Sequence, residues 1–433
     1  MAEKKERAGA RMKIKTKNLS YEKVMALPRP KHRKPMKPLF ILQLVVRVLA
    51  IFDLVPTKFT YKTEGMEKIG KKEPCLILMN HSSFIDLKIV SKIFFPKPYG
   101  IVCTSDGVVG KNWLMRLLGC IPTQKFVSDV TLIRDMEHLL KKKRVSVLMY
   151  PEASYSFDGT ATPLPRKMGV LLKKLNVPVV TVITQGAFAR DPLYNCLQKR
   201  KTTVRAEVKC LATAEEIKAM SVAQLDALLD EAFTFDNFRY QQEHKIPITE
   251  PFRADGLHRI LYRCPHCQAE GQTEGKGIQL TCKACGATYT LDEYGYLTAE
   301  NPAFTHIPDW YVWQRNQVRE ELEQGTYHLE TPVKIAMMVN TKSLYMVGEG
   351  NLTHDENGFH LVGCDGKLDY SQGPLACYGL YADYYWYEIG DVICIGNQDA
   401  LYYCFPEEGV SVAKARLATE ELYKLKKVRK PTA

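Results

Sequence analysis

Cys75-Leu-Ile-Leu-Met-Asn-His81-Ser-Ser-Phe-Ile-Asp86-Leu87 is the stretch on which the reading of this chain turns. Its first five residues form an apolar run with the length and turn-free character of a buried strand. Asn80 and His81 leave the carboxyl end of that strand, and Ser82 and Ser83 are good caps for a following helix. Four residues separate His81 from Asp86, so Asp86 falls in the first turn after the bend. From there its carboxylate can reach one imidazole nitrogen and leave the other as an acceptor for a hydroxyl proton. Such a pair is a hydroxyl-activating dyad whose nucleophile comes from outside the chain. The competing reading is a histidine that caps a helix beside a surface Asp, and the isolated spacing favours it.

Working outward, apolar runs at Cys75–Met79, Tyr99–Cys103, Val145–Met149 and Val179–Ile183 read as strands. Phe84–Phe95 and Ser128–Lys143 read as helices between them; Val130, Ile133, Met136 and Leu140 keep helical spacing in the second. This alternation predicts an α/β domain with its site at the carboxyl ends of the strands. Four further stretches follow in order: Gly119-Cys-Ile-Pro-Thr-Gln-Lys125, Tyr150-Pro-Glu-Ala-Ser-Tyr-Ser156, Pro165-Arg166-Lys167-Met-Gly169 and Asn176-Val-Pro178-Val-Val-Thr-Val182. Each alone is a weak signal.

Together with Asn80-His81-x-Ser83-x-x-Asp86, they resemble in sequence and order the motifs of the glycerolipid acyltransferases, the lysophosphatidate (1-acyl-sn-glycerol-3-phosphate) acyltransferase-like family. The resemblance covers about 120 residues and reverses the judgement on His81. It implies a mixed sheet flanked by helices, with His81 as general base and Asp86 as its orienter. It also implies phospholipid biosynthesis: acyl transfer from an acyl-carrier-protein or coenzyme A thioester to the hydroxyl of a lysophospholipid, first of all 1-acyl-sn-glycerol-3-phosphate. Ser83, Lys125, Glu152, Ser154, Arg166 and Lys167 would then serve the acceptor. The third motif departs from the family pattern: Ala153 replaces Gly, Ser154 replaces Thr and Tyr155 replaces Arg. Arginine offers a phosphate a bidentate fork, whereas Tyr155 offers one neutral hydroxyl. Either Lys125, Arg166 and Lys167 bind the phosphate, or the acceptor is not a simple phosphomonoester. The bland alternatives are surface solubility for the three bases and a structural hydrogen bond for Glu152.

At 433 residues the chain is long enough for two or three domains, and its net charge of +12 suggests an acidic partner, nucleic acid or an anionic membrane surface. Residues 1–38 are basic and poor in apolar side chains, and are expected to be unstructured. They lead into Leu39–Val55, the most apolar segment, interrupted by Gln43, Arg47 and Asp53. Seventeen helical residues reach about 25 Å, short of a hydrocarbon core of roughly 30 Å. A central Arg adds about 2.5–3.5 kcal/mol against insertion. An interfacial helix is expected, with a buried core helix as the alternative. The resulting placement is peripheral or monotopic on the cytoplasmic face of a membrane.

Thirteen cysteines without a secretory signal fit a reducing compartment. Cys75, Cys103, Cys394 and Cys404 read as core residues. Cys264-x-x-Cys267, then fourteen residues, then Cys282-x-x-Cys285, is the spacing of a structural Zn²⁺ ribbon. A redox pair is the alternative, and His266 reads as a bystander. Four thiolates leave no open position, so the metal would be structural and the reaction needs no cofactor.

Capping boxes at Thr213 and Ser221 predict two short helices. Pro308–Gln324 reads as a helix whose Trp310, Tyr311 and Trp313 are core or an interfacial belt. From Val333 to Phe405 the chain is strand-rich, and a final helix covers Ser411–Lys427; the combination resembles a pleckstrin-homology-like barrel. The expected domains are a basic tail over 1–38, the acyltransferase domain over 39–255, the ribbon over 256–300, and a linker helix with β-rich domain over 301–433. Phosphate-loop, serine-hydrolase and zinc-protease motifs do not occur. A second reading is a zinc-ribbon adaptor that binds nucleic acid or protein and keeps a non-catalytic lipid-binding domain. The intact dyad argues against it, so nucleic acid is not an expected partner of the first reading.

Overall fold

The computed structural model describes residues 13–127, 129–165 and 168–428. Two compact units divide the chain: Lys31–Asp191 with Arg200–Ile246, and Met1–Pro30 with Pro192–Lys199 and Pro247–Ala433.

The first unit is built on a seven-stranded sheet. Its strands are β1 (Thr60–Glu64), β2 (Leu76–Met79), β3 (Tyr99–Thr104), β4 (Cys120–Thr123), β5 (Ser146–Met149), β6 (Val179–Gln185) and β7 (Arg205–Ala212), in the order β1-β7-β6-β2-β5-β3-β4. All neighbours run parallel except β6 and β7. The central strand β2 pairs Leu76 with Val147 on one side and with Val179 on the other. Leu76 and Leu78 pack with Val147 and Val179 on one face; Ile77 and Met79 pack with Leu148 and Val180 on the other. Burial on both faces explains the unbroken apolar run that opens the sequence reading. The expected mixed sheet flanked by helices is present. Strand β7 was not anticipated: Ala206, Val208, Cys210 and Ala212 alternate inward with period two, but their small size mutes the signal.

Helix α1 (Phe40–Leu54) buries Gln43, Ala50 and Leu54. Its opposite face exposes Ile41, Val45, Val48 and Phe52, the last at 73 %. These recur at four, three and four residues, so they form one apolar stripe turned away from the protein. The Leu39 amide donates to the Leu117 carbonyl at 2.9 Å, which ties the start of α1 to the helix Asn112–Leu117 and its exposed Trp113. No helix among the described residues is long and apolar enough to cross a membrane. Helix α2 (Asp86–Phe94) follows β2. Both anticipated capping boxes are formed, at Thr213 and Ser221.

The second unit holds a four-stranded antiparallel ribbon, Thr273–Lys276, Gln279–Cys282, Thr288–Leu291 and Leu297–Thr298, and the helix Ile307–Gln324, which Gly325 ends in the left-handed region. A larger sheet follows, ordered Leu368–Gln372, Gly358–Gly363, Leu344–Asp355, Leu329–Met338, Leu401–Pro406, Gly390–Gly396 and Tyr381–Trp386, with a terminal helix over Val412–Val428. Four expectations change here. The tail is not unstructured throughout, because Thr16–Asn18 forms a strand parallel to Leu344–Met346 and Val24 is buried. Polar residues can join a sheet through backbone bonds alone, which composition does not reveal. The strand Leu368–Gln372 was also not anticipated. The boundary falls at Ile246 rather than 255, and the ribbon and the β-rich region share one unit.

Candidate active site

The sheet brings four of the quoted motifs to one edge. His81 leaves the carboxyl end of β2, Glu152 follows β5, Lys125 follows β4, and Thr184 lies near the end of β6. Asn80 fixes the departure of the chain: its Oδ1 accepts from the Thr184 amide at 2.8 Å, and its Nδ2 donates to the Thr184 carbonyl at 3.1 Å and to Ser82 Oγ at 3.0 Å. Asp86, first residue of α2, is 2.9 Å from His81 Nδ1 through Oδ2. The same oxygen accepts the Ser82 and Ser83 amides at 2.9 and 3.1 Å. An oxygen filled by two backbone N–H groups acts as acceptor toward the ring, so Nδ1 carries the hydrogen. Nε2 then presents its lone pair. It is the ring nitrogen without a hydrogen-bond partner among the described residues.

Burial sets the charges. It pushes His81 well below the ordinary imidazole value, and the Lys125 charge adds to the fall, so the ring is neutral and basic at Nε2. Burial also raises Asp86 to about 8, against the two amides, which favour the carboxylate. Asp86 Oδ1 is buried without a partner, which accounts for that direction.

Tyr150 and Tyr155 both stack on His81, with ring centroids at 4.1 and 3.7 Å. Two near-parallel rings that close must lie on opposite faces, so the imidazole is sandwiched and only its edge is open. Phe84 continues the stack at 5.3 Å from Tyr155. Sequence reasoning treated Tyr155 only as a lost cation; the aromatic sandwich was missed, and Tyr150 and Phe84 flanking the motifs were the available signal.

Two of the residues expected at the acceptor have partners within the protein. Both oxygens of Glu152 are engaged: Oε2 accepts the His81 amide at 2.9 Å, and Oε1 accepts the Thr162 amide at 2.8 Å and its hydroxyl at 3.1 Å. Glu152 is a buried brace that holds the His81 backbone. Ser83 turns its hydroxyl to Asp191 instead of outward. Ser154 Oγ is buried without a partner among the described residues, in a loop where Ala153 holds φ at +58°. A non-glycine residue there costs about 1–2 kcal/mol, which gives the family's glycine at this position a backbone reason. Lys125 is half-buried and acts on His81 through its charge. Arg166 and Lys167 lie outside the described residues.

Cys264, Cys267, Cys282 and Cys285 bring their sulfurs within 4.8 Å of one another, a set that could hold a metal ion. Cys264 is 3.7 Å from Cys285, and Cys267 is 3.7 Å from Cys282. Four sulfurs around a tetrahedral Zn²⁺ at about 2.3 Å stand roughly 3.8 Å apart, so the set fits that ion. The two knuckles repeat one backbone pattern: Cys264 and Cys282 donate five residues ahead, to Ala269 and Ala287, and accept from Gln268 and Gly286. His266 Nε2 pairs with the Tyr289 hydroxyl at 2.8 Å.

Residues 60–185 match the family model described as Acyltransferase. The 1-acyl-sn-glycerol-3-phosphate acyltransferase BAT2, chloroplastic, of Brassica napus is 30 % identical over 29 % of this chain and 38 % of its own length. The 1-acyl-sn-glycerol-3-phosphate acyltransferase beta of Homo sapiens is 22 % identical over 39 % of this chain and 61 % of its own. The Saccharomyces cerevisiae 1-acyl-sn-glycerol-3-phosphate acyltransferase is 29 % identical over 29 % and 43 %. The chain thus spans between 38 % and 61 % of these relatives. The solved 1-acyl-sn-glycerophosphate acyltransferase PlsC from Thermotoga maritima aligns over 45 % of this chain and 81 % of its own, with 17 % identity and a TM-score of 0.34.

Proposed function

We propose that this protein, whose residues 60–185 match the Acyltransferase family model, moves a fatty acyl group from an acyl-carrier-protein or coenzyme A thioester to the hydroxyl of a lysophospholipid, with lysophosphatidate the first candidate. One observation carries the reading: His81 is locked through Nδ1 to Asp86, with Nε2 on the open edge of the ring. The acceptor hydroxyl gives its proton to Nε2 as its oxygen attacks the thioester carbonyl. The tetrahedral adduct then expels the thiolate, which takes the proton from Nε2. No acyl-enzyme forms, because the acceptor is the nucleophile. Lys125 supplies positive charge on the acceptor side, and the Ser154 hydroxyl is available to a bound oxygen. Tyr155 contributes an aromatic wall beside the imidazole.

The seat of the reaction is a lipid surface at the cytoplasmic face. The outward stripe of α1 and the exposed Trp113 supply apolar area, and Lys31, Arg33, Lys34 and Lys37, all exposed, precede α1 directly. Each such base adds about 1 kcal/mol near an anionic leaflet. The four-cysteine set is read as a structural Zn²⁺ ribbon. The two strand meanders of the larger sheet, closed by a terminal helix, suit a pleckstrin-homology-like domain.

His81→Ala should lower kcat by about 10²- to 10⁴-fold in a purified transfer assay while the melting temperature holds. A variant that transfers at the wild-type rate would sink the mechanism.

A further inference from the structure

A chain of buried charges joins α1 to the catalytic pair. Ser83 donates its amide to Asp86 Oδ2 and its hydroxyl to Asp191. Arg190 donates through Nη1 to Asp191 Oδ2 at 2.6 Å and through Nη2 to Asp53 Oδ1 at 2.6 Å. Asp53 belongs to α1, and its other oxygen is paired with Lys88 on α2, the helix that begins at Asp86. Asp53 therefore reaches Asp86 by two routes, through Arg190, Asp191 and Ser83, and through the body of α2. Arg190 and Asp191 are 5 % and 4 % exposed.

Burying such charges is a costly way to attach a helix. Apolar side chains of similar volume hold an interface as well or better, whereas a hydrogen-bonded ionic chain fixes register and orientation. The guanidinium fork spans two carboxylates at once, a geometry that a lysine cannot reproduce. The same helix that ends in this chain turns its other face outward as an apolar stripe. Were α1 to shift on meeting lipid, Asp53 would move with it, and the ionic chain offers a path for that displacement to the amide that holds Asp86.

We propose that Arg190 and Asp191 are positioning residues that couple lipid engagement by α1 to the placement of Asp86, and hence to the rate of acyl transfer. The proposal rests on the reading of α1 as the lipid seat and of His81 as base.

The test uses the full chain, acyl-coenzyme A as donor and lysophosphatidate as acceptor, either as monomer below its micellar concentration or in phosphatidylcholine vesicles doped with phosphatidylglycerol. The quantity read is the ratio of kcat on vesicles to kcat on monomer. Asp53→Asn should lower that ratio about tenfold, leave KM for the donor unchanged, and still float with the vesicles; Asp53→Glu should restore it. If Asp53→Asn does not fold, the ratio is read on Arg190→Lys. A wild-type protein without vesicle preference, an unchanged ratio in the variant, or an equal fall on both presentations overturns the coupling. Phe52→Ser separates the premises: if it floats like wild type, the lipid seat fails and the coupling with it. If it stops floating while the Asp53→Asn ratio is unchanged, the coupling alone fails.

Discussion

In the helix Ile307–Gln324, Trp310, Tyr311, Val318 and Leu322 are buried and Asp309, Arg319, Glu320 and Glu323 face out; in α1 the large apolar residues face out and a glutamine is buried. Both helices use that glutamine alike, to satisfy a loop or strand carbonyl. Gln314 donates to the Ile260 carbonyl at 2.7 Å and Gln43 to that of Tyr99 at 3.4 Å. The difference lies in what surrounds the buried amide. Around Gln314 stands a core in which Trp310 packs on Tyr289 and Phe304 and donates to the Arg263 carbonyl. Within α1 itself, Ala50 and Leu54 are the buried residues besides Gln43. Apolar content alone would rank α1 as the more core-like helix. The burial of their large apolar side chains ranks them correctly: Ile307, Trp310, Tyr311, Val318 and Leu322 in one helix, Leu54 in the other.

Perturbations of each region test that contrast. Chelation should have the largest effect: metal binding to four thiolates contributes on the order of 10 kcal/mol to a ribbon with so small a core. One bound zinc per chain by metal analysis, and loss of amide protection across residues 264–291 on its removal, are the expected results. A chain that purifies without stoichiometric metal breaks the zinc reading. Next, Trp310→Ala should cost about 3–5 kcal/mol in denaturant unfolding of its unit. Asp86→Asn concerns the first unit and depends on pH. Folding raises the Asp86 pKa to about 8, above the unfolded value. The contribution of its neutral form is therefore complete below the unfolded pKa and is lost as pH rises through about 8. The Asn variant should thus melt higher than wild type at pH 9 and alike at pH 4, while its transfer rate falls; a lower melting point at pH 9 contradicts the burial argument. Smallest in stability is Phe52→Ser, expected within about 0.5 kcal/mol because the ring is exposed. Its vesicle affinity should still fall about tenfold to a hundredfold, the worth of one buried Phe side chain. A stability loss as large as that of Trp310→Ala would mean that the stripe of α1 is a protein interface.

The contact between His81 and Asp86 was legible because its spacing is local: five positions around one bend decide whether the two side chains meet. The ribbon was legible for the same reason. The partners of Glu152 were not legible, because His81 and Thr162 lie 71 and 10 residues away, and no local pattern reports which groups will claim a carboxylate. Asp53 was read only as an interruption of the apolar segment. Its partner Arg190 follows β6, and charge pairing over that separation leaves no periodicity to read. The aromatic sandwich around His81 was hidden for another reason: Tyr155 was compared with an arginine that it replaces, so its ring went unexamined.

The strand Thr16–Asn18 has a consequence for biogenesis. Its pairing partner, Leu344–Met346, emerges from the ribosome roughly 300 residues later, about 15–60 s at ordinary elongation rates. All of Lys31–Asp191 is made in the interval, so the first unit can fold while the opening strand still waits. The nascent chain therefore carries a basic, unpaired strand at a time when the sheet of the first unit can already be complete, and a lipid leaflet or a chaperone can hold that strand before its own sheet exists.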